Sequence, residues 1–199
     1  MLTAKDLIDF ETEVAGHFAA AEIRSPVHFS GGNEAQLIEI FEQIHPDDYV
    51  CSTWRNHYHA LLHGIPRERL LADILAGKSM NLNYPEYHFL TSAIVGGTLP
   101  IACGLAAAGQ RTWCFIGDMC ASTGAFHDAV QYATGHSLPI TFVIEDNGLA
   151  TNTPTQQTWG DTSCKKTTCS EVDGTNPVIL SYQYQRTYPH VGLTQRVEF

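Results

Sequence analysis

Asp118 and Asn147 are the residues whose types and spacing point most directly to chemistry. One is an anionic oxygen donor, the other a neutral one, and 28 residues lie between them. Each follows an apolar run. Trp113-Cys114-Phe115-Ile116 stops at Gly117-Asp118, and Ile140-Thr141-Phe142-Val143-Ile144 stops at Glu145-Asp146-Asn147-Gly148. Hard oxygen donors suit magnesium, which usually binds beside phosphates rather than in an all-protein cage. The chemistry implied is a magnesium-diphosphate site. Two plainer readings stay open: Asp118 as a helix cap and Asn147-Gly148 as a turn.

The pattern around the pair shows what must position it. Both apolar runs read as buried strands of a parallel sheet. Between them lie a small-residue turn, Cys120 to Gly124, and a helical pattern from about Ala125 to Thr134. That spacing is one βαβ crossover, so both strands end on the same edge of the sheet. Ligands of open α/β sheets bind outside that edge. The helix after Asp118 is expected to aim its first N–H groups at the same place, as a phosphate requires. Upstream, Ile94-Val95-Gly96-Gly97 opens a small-residue helix, Thr98 to Ala108. Its small residues serve tight packing, and the backbone of residues 95 to 97 is free to face a flat ring. Arg55, beside Trp54, follows a short strand candidate at Tyr49-Val50-Cys51. It reads equally as a phosphate contact or as a surface residue.

Around this centre the periodicity predicts a helix over residues 3 to 23, with apolar positions at Leu7, Ile8, Phe10, Val14, Phe18 and Ala21. Further helices are expected over 33 to 44 and 66 to 76, the latter with proline at its first position. A polar loop follows at 77 to 83, and a last strand is expected at Pro177 to Tyr184. His59 and His63 are one helical turn apart, without the intervening glutamate of zinc proteases. Cys164 and Cys169 lack a matching second pair, so no zinc site is expected. The expected fold is α/β, an open, mainly parallel sheet with helices on both faces. It is expected as one domain over residues 1 to 199, with an N-terminal helical segment to about residue 28.

An apolar fraction of 44% supplies a core. A formal net charge of −10 and the absence of a basic run argue against nucleic acid or an acidic membrane surface as partner. No apolar stretch is long enough to span a bilayer, and MLTAKDLIDFETE reads as an acidic amphipathic helix rather than a signal peptide. The expected location is the cytoplasm. The six cysteines show no disulfide-rich pattern.

Several separated motifs then agree on one family. The Gly117-Asp118 and Asp146-Asn147 stretches resemble the thiamine-diphosphate signature. Pro46 to Val50, Arg55 to Leu61, Ser79-Met80, Ile94 to Gly97 and Gly124 to His127 resemble the alpha subunit of the 2-oxo acid dehydrogenases of pyruvate, branched-chain and acetoin type. The likeness covers roughly residues 29 to 155 and returns at Pro177 to Gly192. It implies the diphosphate-binding domain of that fold, with thiamine diphosphate and Mg2+ as cofactors. Asp118, Asn147 and the carbonyl of Leu149 would bind the metal. Gly117 and the backbone N–H groups near Met119 and Cys120 would lie against the diphosphate. Arg55 would contact a phosphate oxygen, with Trp54 beside it in the family's usual tyrosine place. Val95 and Gly96 would meet the aminopyrimidine ring through their backbones, and His190 would match a late histidine that assists the reaction.

The resemblance also implies a partner. The glutamate that activates the cofactor comes from a beta-type, pyrimidine-binding subunit, in an alpha2beta2 heterotetramer. The substrate would be a small 2-oxo acid, and a lipoyl group the acyl acceptor. Two other readings remain: a thiamine-dependent carboligase subunit that uses an aldehyde or ketone, and a non-catalytic assembly subunit. The sequence departs from the family pattern at Met119, where glycine is usual, at Asp146 for the first asparagine, at Asn81 for histidine, and at Thr123 for Glu or Gln. It is also shorter than typical alpha subunits.

Overall fold

The computed structural model describes residues 2–160 and 177–187. Through residue 93 the chain forms α1 (Ala4–Ala19), α2 (Glu34–Phe41), β1 (Tyr49–Ser52), α3 (His57–Leu62), α4 (Arg67–Leu75), β2 (Asn83–Tyr84) and β3 (Phe89–Thr91). It continues with α5 (Thr98–Ala107), β4 (Thr112–Gly117), α6 (Asp118–Ala121) and α7 (Gly124–Gly135). Then come β5 (Ile140–Asp146), β6 (Leu149–Ala150), β7 (Thr153–Pro154), α8 (Thr155–Trp159) and β8 (Val178–Gln183). The described residues divide into two compact units: those up to Asp47 with Ser52–Ala93 and residues 185–187, and Asp48–Cys51 with those between Ile94 and Tyr184.

In the first unit, α1 starts at a capping box. The Thr3 hydroxyl accepts from the Asp6 N–H, and the Asp6 carboxylate accepts the Thr3 N–H at 2.7 Å. The helix is shorter than the 3-to-23 pattern, ending before Ala21, which takes a φ of 58°. Leu7, Phe10, Val14 and Phe18 are buried as expected, whereas Ile8 is 41% exposed. Glu11 lies inside that apolar stripe and is completely buried. Its Oε1 accepts the Ser30 N–H at 3.1 Å and lies 3.1 Å from His57 Nδ1. The other ring nitrogen of His57 meets Ser79 Oγ at 2.9 Å. The Ser30 and His57 partners, both on Oε1, are what the buried carboxyl has, since its Oε2 has none. His59 is likewise engaged, with Nδ1 3.1 Å from Ser52 Oγ. Pro66 is the N-cap of α4 rather than its first helical residue. The expected polar loop gives way at Asn83 to an antiparallel hairpin, in which Asn83 pairs with Leu90 and Tyr84 with Phe89. A single 3-10 turn, Pro85–Tyr87, closes it.

The second unit contains the parallel sheet. Tyr49, Val50 and Cys51 of β1 pair with Thr112, Trp113 and Cys114 of β4, which pairs in parallel with β5, and β5 with β8. The fold is therefore α/β with a mainly parallel sheet, as the alternating apolar runs and helices predict. Cys114, Phe115 and Ile116 of β4 and Phe142 and Val143 of β5 are fully buried. Helix α5 packs on β4, β5 and α7 through small residues, with Ala102 and Ala106 buried. Phe126 of α7 meets Phe142 edge to face at 5.5 Å. The Trp113 indole N–H donates to buried Asp48 Oδ2 at 3.0 Å. No helix among the described residues is long and apolar enough to cross a membrane.

One expectation next to Asp118 changes. The segment after β4 is not a turn leading into one helix. It is a single helical turn, α6, followed by α7, whose N-cap Thr123 accepts the Phe126 N–H through its side chain. The Ser122 and Thr123 hydroxyls bond back to the carbonyls of Asp118 and Cys120, which separates the two helices.

Candidate functional site

Strand register brings the key residues of the second unit together. Gly117 on β4 pairs with Glu145 on β5, so Asp118 and Asp146 follow side by side at the carboxyl ends of neighbouring parallel strands. Helix α6, which begins with Asp118, also touches β6, which begins with Leu149. The Asp118 Oδ2 atom is buried without a hydrogen-bond partner. Burial, and then the neighbouring Asp146 carboxylate, push the Asp118 carboxyl up to about 7. Backbone N–H groups of Met119 and Asp118 itself pull it partly back.

Asn147 is held from both ends. Its Nδ2 donates to the Tyr184 hydroxyl at 3.2 Å, and its Oδ1 accepts the Leu149 N–H at 3.0 Å. Gly148, at a φ of 67°, makes the turn after it. Asp146 is braced as firmly: Oδ1 accepts the Gly148 N–H at 2.9 Å and Oδ2 accepts from Gln183 Nε2 at 3.0 Å. The end of β8 thus supports both residues. The sequence reading missed the roles of Asp146, Gln183 and Tyr184. Their signal was that β8 runs parallel to β5 and ends on the same edge.

Met119 adds bulk to the turn, but its sulfur accepts the Trp159 indole N–H from α8 at 3.1 Å. Gly117 leaves open space: a Cβ there would meet nothing within 4 Å. Val95 is 52% exposed. The Gly96 N–H faces Cys120, whose buried thiol is raised and so stays neutral. Gly96 adopts a φ of 75°, and an added Cβ would meet Ala125 Cβ at an ordinary 3.5 Å. Gly96→Ala is therefore expected to cost backbone strain without a clash, about 1–2 kcal/mol. Thermal unfolding of the variant checks this; an unchanged Tm would contradict it.

The donor set fits a cation. It offers one buried carboxylate oxygen without a partner, a second carboxylate beside it, and a fixed amide oxygen. Among the described residues no three His, Cys, Asp or Glu side chains gather to hold a metal. The remaining donors would be carbonyl, phosphate or water oxygens, as magnesium commonly has. Of the residues predicted from sequence, Val95, Gly96, Gly117, Asp118, Met119, Cys120, Asn147 and Leu149 lie in this unit. Trp54 and Arg55 lie in the other. There Arg55 Nε donates to the Phe29 carbonyl at 2.8 Å, and the Trp54 ring lies 5.9 Å from that of His28. His190 lies outside the described residues.

Comparison with known proteins gives an independent result. The family model described as "Dehydrogenase E1 component" matches residues 3–176. The alpha subunit of acetoin:2,6-dichlorophenolindophenol oxidoreductase from Bacillus subtilis is 30% identical over 161 residues, covering 73% of this chain and 48% of that protein. The pyruvate dehydrogenase E1 component alpha subunit of Porphyra purpurea is 29% identical over 165 residues, 71% of this chain and 48% of its own. That of Zymomonas mobilis is 29% identical over 165 residues, 74% and 47%. The chain thus spans about half the length of the relatives it matches.

Proposed function

The chain belongs to the dehydrogenase E1 component family, and from that premise we propose that it acts as the alpha-type subunit of a thiamine-diphosphate-dependent 2-oxo acid dehydrogenase. The observation that carries this reading is the buried, partnerless Asp118 Oδ2 at the end of β4, with the fixed amide of Asn147 just past the end of the neighbouring parallel strand β5. Asp118 would supply the anionic metal donor. The Asn147 amide oxygen and the Leu149 carbonyl would supply neutral donors to Mg2+. The open flank of Gly117 would take the diphosphate, and the backbone at Val95 and Gly96 the flat pyrimidine ring. When bound, the cofactor supplies a carbon nucleophile and an electron sink for decarboxylation of the 2-oxo acid. This chain's residues would hold the cation, orient the phosphates and keep the ring in register. The carboxylate that acts on the pyrimidine would come from a beta-type subunit, in an alpha2beta2 assembly.

Isothermal titration of thiamine diphosphate into the full chain, with and without Mg2+ and a candidate beta-type chain, tests the reading. Binding is expected to require Mg2+ and to tighten with the partner. No Mg2+-dependent binding in either case would overturn it.

A pH dependence accompanies this assignment. In the cation-free fold the Asp118 carboxyl holds its proton up to about 7, whereas an unfolded aspartate releases it near its ordinary 3.8. Within that window the folded chain binds more protons than the unfolded one, so cation-free stability falls as pH rises and levels off above about 7. Cation binding needs the carboxylate, so it strengthens over the upper part of the same window. The Tm gain on adding Mg2+ and thiamine diphosphate is expected to be larger at pH 8 than at pH 6. Asp118→Asn is expected to flatten the cation-free slope; a slope that persists in this variant would assign it elsewhere.

A further inference from the structure

We infer that Asp146 gives the site a second negative charge, which lets it take a divalent cation before the diphosphate arrives. The inference rests on the cation site proposed above and concerns a residue outside that ligand set. Register places Asp146 beside Asp118 at the strand ends. Both carboxylate oxygens of Asp146 are already held, Oδ1 by the Gly148 N–H and Oδ2 by Gln183 Nε2. We assign it a role through its charge, which acts on the cation from beside the proposed ligands, and so as a positioning residue.

The charge count has two opposite consequences. With one carboxylate, a divalent cation leaves the site net positive, and the diphosphate completes the neutralisation. Metal and cofactor then depend strongly on each other. With two ionised carboxylates, the cation alone neutralises the site. It binds more tightly by itself, and the diphosphate that follows meets less positive charge. Asp146 thus shifts affinity from the cofactor step to the metal step.

Asp146→Asn separates the two. Asparagine has nearly the same shape, and its amide oxygen can still accept the Gly148 N–H. The Gln183 amide can turn to offer its oxygen to the new NH2 group. The fold is expected to hold. The probes are Mn2+ alone, followed by water-proton relaxation or calorimetry, and thiamine diphosphate titrated at saturating Mg2+. The wild-type chain is expected to bind Mn2+ without cofactor. Asp146→Asn should weaken that binding by about tenfold or more, while tightening cofactor binding by roughly threefold or more. Opposite movement of the two affinities is a result that loss of structure does not produce.

Unchanged Mn2+ affinity in the variant, with Mg2+-dependent cofactor binding intact, would overturn the role of Asp146 and leave the site assignment standing. A fall in both affinities together, with a lowered Tm, would reduce Asp146 to a structural brace and overturn the role as well. A wild-type chain that binds neither Mn2+ nor cofactor, alone or with a beta-type chain, would overturn both.

Discussion

Asp118→Ala is expected to abolish magnesium-dependent binding of thiamine diphosphate while leaving the cation-free chain as stable as before, or more so. Removing the anionic donor leaves neutral oxygens and a braced Asp146 to face the cation. A loss of about 100-fold or more is expected, equivalent to about 3 kcal/mol. The stability effect has the opposite sign because Asp118 is a poor residue for folding. Its carboxyl is part-buried, one oxygen has no partner, and another carboxylate lies beside it. Alanine removes that penalty. Groups arranged for binding commonly cost stability in this way. Calorimetric titration and thermal unfolding of the same preparation check the two parts. Undiminished cofactor binding in the variant would remove Asp118 from the site, and a markedly lower cation-free Tm would show that its carboxyl supports the fold.

Glu11→Ala is expected to have the largest effect on stability, about 3–5 kcal/mol. At this chain length that lowers Tm by roughly 10 °C. The variant removes the acceptor shared by the His57 ring nitrogen and the Ser30 N–H in a region closed to water. It also leaves a void where the side chain was. Glu11→Gln keeps an oxygen for the Ser30 N–H and nearly the same volume, so it should cost less, about 1–2 kcal/mol. Denaturant unfolding of both variants gives the comparison. Equal losses would mean that packing, rather than the shared acceptor, sets the value of Glu11.

How much of this was legible in the sequence depended on distance along the chain. The β4–α7–β5 crossover could be read because its signals are local. Apolar runs of strand length flank a helical period, and a crossover of that length joins parallel strands. Asp118 and Asn147 followed from it, because residues just past the ends of parallel neighbours share an edge. The Met119 side chain could not be read, because its partner Trp159 lies 40 residues on, in a segment without periodicity. Glu11 sits at a helical spacing that suits the apolar stripe, but its chemistry argued for the surface. Only partners 19 and 46 residues away make its burial tolerable.

The sequence by itself determined the α/β class, the two parallel strands and the oxygen donors at their ends. Those properties come from side-chain periodicity and chain connectivity, which act within one crossover. Only the tertiary structure decided how the donors are held. The pairing of β5 with β8 brings Tyr184 to Asn147 and Gln183 to Asp146, each across 37 residues. The β4–β5 register brings Asp146 beside Asp118, and the packing around them leaves one Asp118 oxygen buried and without a partner. A hydrogen bond of this kind depends on a few tenths of an ångström in packing, and the residue pattern carries no record of that distance.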